Sequence, residues 1–249
     1  GLRFPVPGEN PNTLVVEKRE PVILGNAPRQ YPSFAQRPHN HIMSWMGVPM
    51  IVRDQVIGIL AIDSRQRDYF DEESIRLASA FASQAASTIE NARLYKEAIQ
   101  AADRRAILHR ASQEIAHASQ DPEQVYAAVH RAAVQLMPAE AFVITLLEEQ
   151  NQQTVGVYLV DKGGRAPVDR VPADGGLSGI VISSGKPVIT NDLMVEPIPG
   201  SVHFGMEDEV RSILAVPLQL GEKVIGMISV QSYQPYAYTA DDQALLEML

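Results

Sequence analysis

Catalysis and metal binding each demand particular side chains, and this chain offers few of them in a usable pattern. Its 249 residues include no Cys. That removes thiolate nucleophiles, thiolate metal sites, disulfides and thioether-linked cofactors together. His39 and His41 are two residues apart, a spacing that sets both on one side of an extended chain. No acidic residue stands beside them to complete a ligand set, so no metal site and no haem site is assigned. His203 is alone in a later loop, and His109 reads as a surface or interhelical residue of a helix. No nucleophile–base pair emerges, so no catalytic residue is assigned and the chain reads as a non-enzyme. The polar groups best suited to binding are Asn191, Asp192, Arg211 and Ser212, which flank a long loop and open the strand after it. Gly175-Gly176 begins a short helix whose free N–H groups suit an anion. Asn26, Ser44 and Trp45 are the counterparts in the first half of the chain. Each of these residues has an ordinary alternative role, in capping a helix or closing a turn.

The balance of the chain excludes other partners. Hydrophobic residues make up 45% and charged residues 20%, an ordinary globular composition. The formal net charge is −9, with no local Lys/Arg run, so there is no basic face to track phosphates and no nucleic-acid partner is expected. No apolar run approaches the length of a bilayer and no signal-peptide layout opens the chain, which predicts a cytoplasmic protein with no membrane partner.

These residues are carried on a repeat. SWMGVPMIVRDQVIGILAIDSRQRDYFDEESIRLASAF, from Ser44, aligns without a gap on SILAVPLQLGEKVIGMISVQSYQPYAYTADDQALLEML, from Ser212, every pair lying 168 positions apart. EPVIL at Glu20 matches KPVIT at Lys186. A spacing this long implies two copies of one domain. In the second copy, Asp121-Pro122 opens a helix running to about Leu136, with Val125, Ala128, Val129 and Ala132 on one face. Ala141–Leu147 and Thr154–Val160 read as a hairpin, Gly176–Ser184 as a short helix closed by Gly185, and Pro187–Thr190 as a strand. Ser212–Leu220 and Lys223–Ser232 form a second hairpin, and Thr239 with Asp242 caps a last helix. Hairpin-linked strands with helices at the ends and on the faces give an α+β fold built on an antiparallel sheet. Pro49 and Pro217 require a strand edge or bulge, while Gly58 and Gly226 admit a close neighbour, either a packed helix or a ligand.

No Gly or Pro occurs between Gly58 and Pro122, and residues 71–118 are nearly all good helix formers. One unbroken helix there reaches roughly 70 Å. Ile75–Ala85 is expected to dock on its own sheet, with Ile89, Tyr95, Ile99 and Ala102 left for a partner helix in a loose coiled coil.

Taken together, SILAVPLQLGEKVIGMISVQS with YTADDQALLEML resembles a GAF domain, and so does SWMGVPMIVRDQVIGILAIDS with YFDEESIRLASAFASQAASTIENARLYKE. GLSGIVISSGKPVITND is similar to the family's short helix and following strand. The resemblance implies tandem GAF domains of a bacterial signalling protein, of the sensor histidine kinase or cyclic-di-nucleotide enzyme type. The expected layout is a first domain at 1–94, truncated at its front, a linker at 95–105 within the long helix, and a second domain at 106–249, truncated in its last helix. The implied role is a non-catalytic sensory region that binds a small ligand, dimerises through the long helix and relays to an output domain of the same polypeptide. The alternatives are a purely structural dimerisation spacer and a cyclic-nucleotide-binding module. Covalent bilin attachment and the family's methionine-sulfoxide reductase activity both need Cys. The Asn-Lys of the cyclic-nucleotide branch is replaced by Asp63-Ser64 and Gln231-Ser232, which disfavours that ligand. No cofactor is therefore expected.

Overall fold

A computed structural model of the chain describes residues 6–118, 121–167, 170–200 and 210–249. It divides into two compact units, Gly1–Gln100 and Ala101–Leu249.

The first unit contains α1 (Pro11–Lys18), β1 (Val22–Leu24), α2 (Ala27–Gln30), β2 (Ser44–Val52), β3 (Gln55–Ser64) and the front of α3 (Glu72–His117). Asn10 caps α1 by accepting from the Asn12 N–H, and Pro11 stands at the first turn, where its missing N–H costs nothing. The three strands form an antiparallel sheet in the order β1-β2-β3. Ala78 and Ala82 of α3 are buried against Met46 and Val48 of β2, with Ile75 and Leu60 packed around them. The other face carries Trp45, Leu24, Ala27, Phe34, Ile42 and Val15.

The second unit begins on α3, whose Leu108 and Ile115 pack on its core. It continues through α4 (Pro122–Leu136), β4 (Ala141–Glu148), β5 (Gln153–Asp161), β6 (Gly164–Arg165), β7 (Arg170–Pro172), α5 (Gly176–Ser184), β8 (Val188–Thr190), β9 (Ser212–Leu220), β10 (Lys223–Ser232) and α6 (Ala240–Glu247). Seven strands form one sheet in the order β6-β5-β4-β10-β9-β8, with β7 on β5, and every pairing is antiparallel. Period-two alternation sends Phe142, Ile144, Leu214, Val216, Ile228 and Val230 to one face, under Val129 and Ala133 of α4 and Leu245 and Leu246 of α6. The fold is α+β with antiparallel sheets and a long helix between the two copies of the repeat, as the sequence predicts.

The prolines sit where the ladder permits them. β2 and β9 are inner strands, but their outer neighbours stop short: β1 ends its pairing at Gly47 and β8 at Ala215. Pro49 and Pro217 thus lie on local edges, next to the bulges at Met50/Ile51 and Val224/Gly226. The two glycines require correction. A side chain on Gly226 would strike the Thr145 carbonyl oxygen, and one on Gly58 would strike the Met50 side chain. The close neighbour is an adjacent strand in each case, neither a helix nor a ligand.

The repeat extends to individual hydrogen bonds. Ser44 Oγ donates to the Gln66 carbonyl (2.8 Å) and Ser212 Oγ to the Gln234 carbonyl (2.7 Å). The Met43 N–H meets the Ser64 carbonyl, and the Arg211 N–H meets the Ser232 carbonyl, at 2.8 Å in both. Asp68 and Tyr236, 168 positions apart, both adopt positive φ and donate to Gly25 and Asn191 respectively.

Candidate functional site

Two of the polar residues singled out around the long loop bond each other. Arg211 donates from Nε (2.9 Å) and Nη2 (2.7 Å) to the two carboxylate oxygens of Asp192. Asp192 also accepts from the Met194 N–H, and the Leu193 N–H donates to the Arg211 carbonyl. The guanidinium holds the Asp192 carboxyl below its ordinary value, and the Met194 N–H adds to the effect. Together these contacts fasten the loop after β8 to the start of β9. Asn191 accepts the Tyr236 N–H on its carbonyl. Ser212 holds Gln234 as described.

Gly176 has φ +59 at the entrance of α5, whose N-cap Gly175 provides no side-chain bond. Gly200 lies over that entrance: a side chain on it would come within 3.3 Å of the Gly176 N–H. In the first unit Trp45 is a core residue, its ring folded over Gly47, and Ser44 is spent on Gln66. The carbonyl of Asn26 accepts the Arg29 and Gln30 N–H groups of α2. His39 and His41 join no cluster that could hold a metal among the described residues, and His203 lies outside them. His109 is exposed on α3, as are Ile89, Tyr95, Ile99 and Ala102.

The sheet of the second unit contains a polar set that the reading of the strands as apolar runs passed over. On the face opposite α4 and α6, α5 lays Leu177 and Val181 on Ile213, Ala215 and Met227. The same face carries buried Thr145, Thr154, Ser229 and Gln231, with Val143 and Leu159 buried among them. Gln231 Nε2 donates to Ser229 Oγ (3.3 Å), and Thr154 Oγ1 lies 3.4 Å from Ser178 Oγ of α5. Buried Asp161 accepts the Tyr233 hydroxyl at the rim. Polar groups taken out of water must find partners, and the register spreads these five side chains along the face, with Gln231 and Asp161 level with Ala141 at one end, Thr145 level with Met227, and Thr154 level with Leu147 at the other. One signal could have found two of them: in Ile228–Gln231, apolar and polar residues alternate strictly. The repeat equivalents of Ser229 and Gln231 are Ala61 and Asp63, both exposed, so the first unit does not reproduce the set.

No helix among the described residues is long and apolar enough to cross a membrane. No curated protein matches the chain. Among solved structures, the GAF domain of a phosphoenolpyruvate-protein phosphotransferase from Coxiella burnetii is similar, at 19% identity over 57% of this chain and 84% of that one, TM-score 0.48. The corresponding Acinetobacter domain is 22% identical over 58% and 85%, TM-score 0.45. The free methionine-R-sulfoxide reductase of Neisseria meningitidis is 19% identical over 49% and 70%, TM-score 0.39. The family model described as GAF domain matches residues 1–90 and 119–249. With both copies of the repeat covered, the chain belongs to the GAF domain family.

Proposed function

We propose that this chain is a tandem GAF sensory region of a cytoplasmic bacterial signalling protein, catalysing nothing itself. It binds a small polar ligand on the α5 face of the second unit's sheet. It dimerises through Ile89, Tyr95, Ile99 and Ala102 of α3 and relays occupancy along that helix to an output domain of the same polypeptide. The observation that carries this reading is the four buried polar side chains Thr145, Thr154, Ser229 and Gln231 on one face of a sheet whose other face is packed mainly with apolar side chains. A ligand that favours one packing of that face biases the elements packed on the sheet, and α3 packs on the same core through Leu108 and Ile115. The test is a thermal-shift screen with nucleotides, cyclic nucleotides and small anions. A ligand at a hundred times its Kd stabilises by about 2.7 kcal/mol, and Gln231→Leu should abolish the shift. Silence across the screen, or a shift untouched by Gln231→Leu, removes the ligand site.

A second reading, a structural dimerisation spacer without ligand, is favoured by a specific observation. Asp192 and Arg211 hydrogen-bond each other, and Gly200 lies over the α5 entrance, so groups singled out for a ligand are engaged within the chain.

A further inference from the structure

One histidine helps to hold α4 on its sheet. His130 lies half-buried on that helix, with its ring centroid 4.8 Å from that of Phe142 on β4 and 5.7 Å from that of Tyr158 on β5. Its Nδ1 is 3.4 Å from the Tyr158 hydroxyl, and both rings beneath it are buried. Tyr126, one turn earlier on α4, meets the Tyr158 ring edge-on. Tyr158 also carries the Arg165 guanidinium of β6 over its ring, 3.9 Å from the centroid. The charges around the imidazole are one-sided. Arg131 of α4 and Arg165 of β6 both act on it, and no carboxylate among the described residues does. The two nearby acids are turned elsewhere: Glu123 pairs with Arg165, and Glu114 of α3 pairs with Arg131.

From this we infer that His130 is a proton-sensitive anchor of α4. Neutral, with its proton on Nε2, the ring accepts the Tyr158 hydroxyl on Nδ1 and packs on Phe142. A second proton turns Nδ1 into a donor and adds a third cation beside two arginines, on a surface only partly open to water. The contact with the sheet then weakens, and α4 loosens in the core it shares with Leu108 and Ile115 of α3. Burial, more than the two arginines, holds the imidazole below its ordinary 6.5. The unfolded chain therefore takes up this proton before the folded one does. Stability drops as pH falls from 6.5 through the lower folded value, and this contribution is level beneath it. The inference does not depend on a ligand or on a dimer.

The experiment uses the full 249-residue chain with its histidines isotope-labelled. NMR follows the six histidine rings from about pH 8 to about pH 5, His130 being assigned through its contacts with Phe142. Urea unfolding followed by far-UV circular dichroism covers the same range. The expected result is a His130 midpoint below 6.5 and a urea midpoint that falls with pH, a fall that His130→Gln removes. Arg131→Gln with Arg165→Gln, both at exposed positions, keeps the histidine and should move its midpoint upward. A His130 midpoint at or above 6.5 overturns the inference, and so does one that the double glutamine variant leaves in place. An acid loss of stability that persists in full in His130→Gln also overturns it.

Discussion

Arg211 and Asp192 form a pair whose two members are unequally placed. The Arg211 side chain is 35% exposed and that of Asp192 10%. Removing the arginine strands a carboxylate that water barely reaches, whereas removing the aspartate's charge leaves a guanidinium that water can solvate. Arg211→Ala should therefore lower Tm at pH 7 by more than Asp192→Asn, and differential scanning fluorimetry decides. The pH dependence has a fixed sign. Asp192 titrates lower in the folded chain than its ordinary 3.8, so its contribution is complete above that value and is lost as pH falls through the folded value. Asp192→Asn should flatten the fall in stability below pH 3.8, and an unchanged slope would mean that other carboxylates set it. These two residues were legible in the sequence as a pair flanking a loop, but their mutual bond was not, because nothing local brings positions 192 and 211 together. Thr145, Thr154, Ser229 and Gln231 were harder still, since strands with β-branched and apolar majorities read as core on both faces. Only the register assigns them to one side.

Elements were readable where a local signal carries them. The hairpin Ser212–Ser232, the α5 helix with its Gly185 cap and the start of α4 at Asp121-Pro122 all follow from caps, turn glycines and alternation. Asn10-Pro11 is the same cap-plus-proline signal as Asp121-Pro122 and marks α1 equally well. β6 and β7 leave no such trace. They span two and three residues and exist through pairing with β5, a non-local fact. Capping recurs at equivalent points of the repeat. Asp71 accepts from the Ser74 N–H and hydroxyl at the head of α3, and Thr239 and Asp242 form a reciprocal box at the head of α6. α6 is short, and its Leu245 and Leu246 seal the core beside α4, so the helix start has more than local consequence. Thr239→Ala should cost about 1 kcal/mol, read as a lower urea midpoint with an unchanged m-value. A much smaller loss would mean that packing of Leu245 and Leu246 holds α6 without its cap.

The two units share a hydrogen-bond pattern but not a core. In the second, α4, α6 and four strands enclose Phe142, Ile144, Leu214, Ile228 and Val230 in one cluster. In the first, a three-stranded sheet divides its apolar residues between two smaller clusters, one on each face. Burial of apolar area sets most of the stability of a domain, so the first unit should unfold first. The chain carries its own reporter of this, because Trp45 is the only tryptophan and lies in the core of the first unit. Its fluorescence follows that unit alone, whereas far-UV circular dichroism follows both. In dilute solution the fluorescence midpoint in urea should come at lower denaturant than the dichroism midpoint, a departure from two-state behaviour. If the two curves coincide, the units unfold as one cooperative block, and α3, which contributes residues to both cores, is the element that couples them.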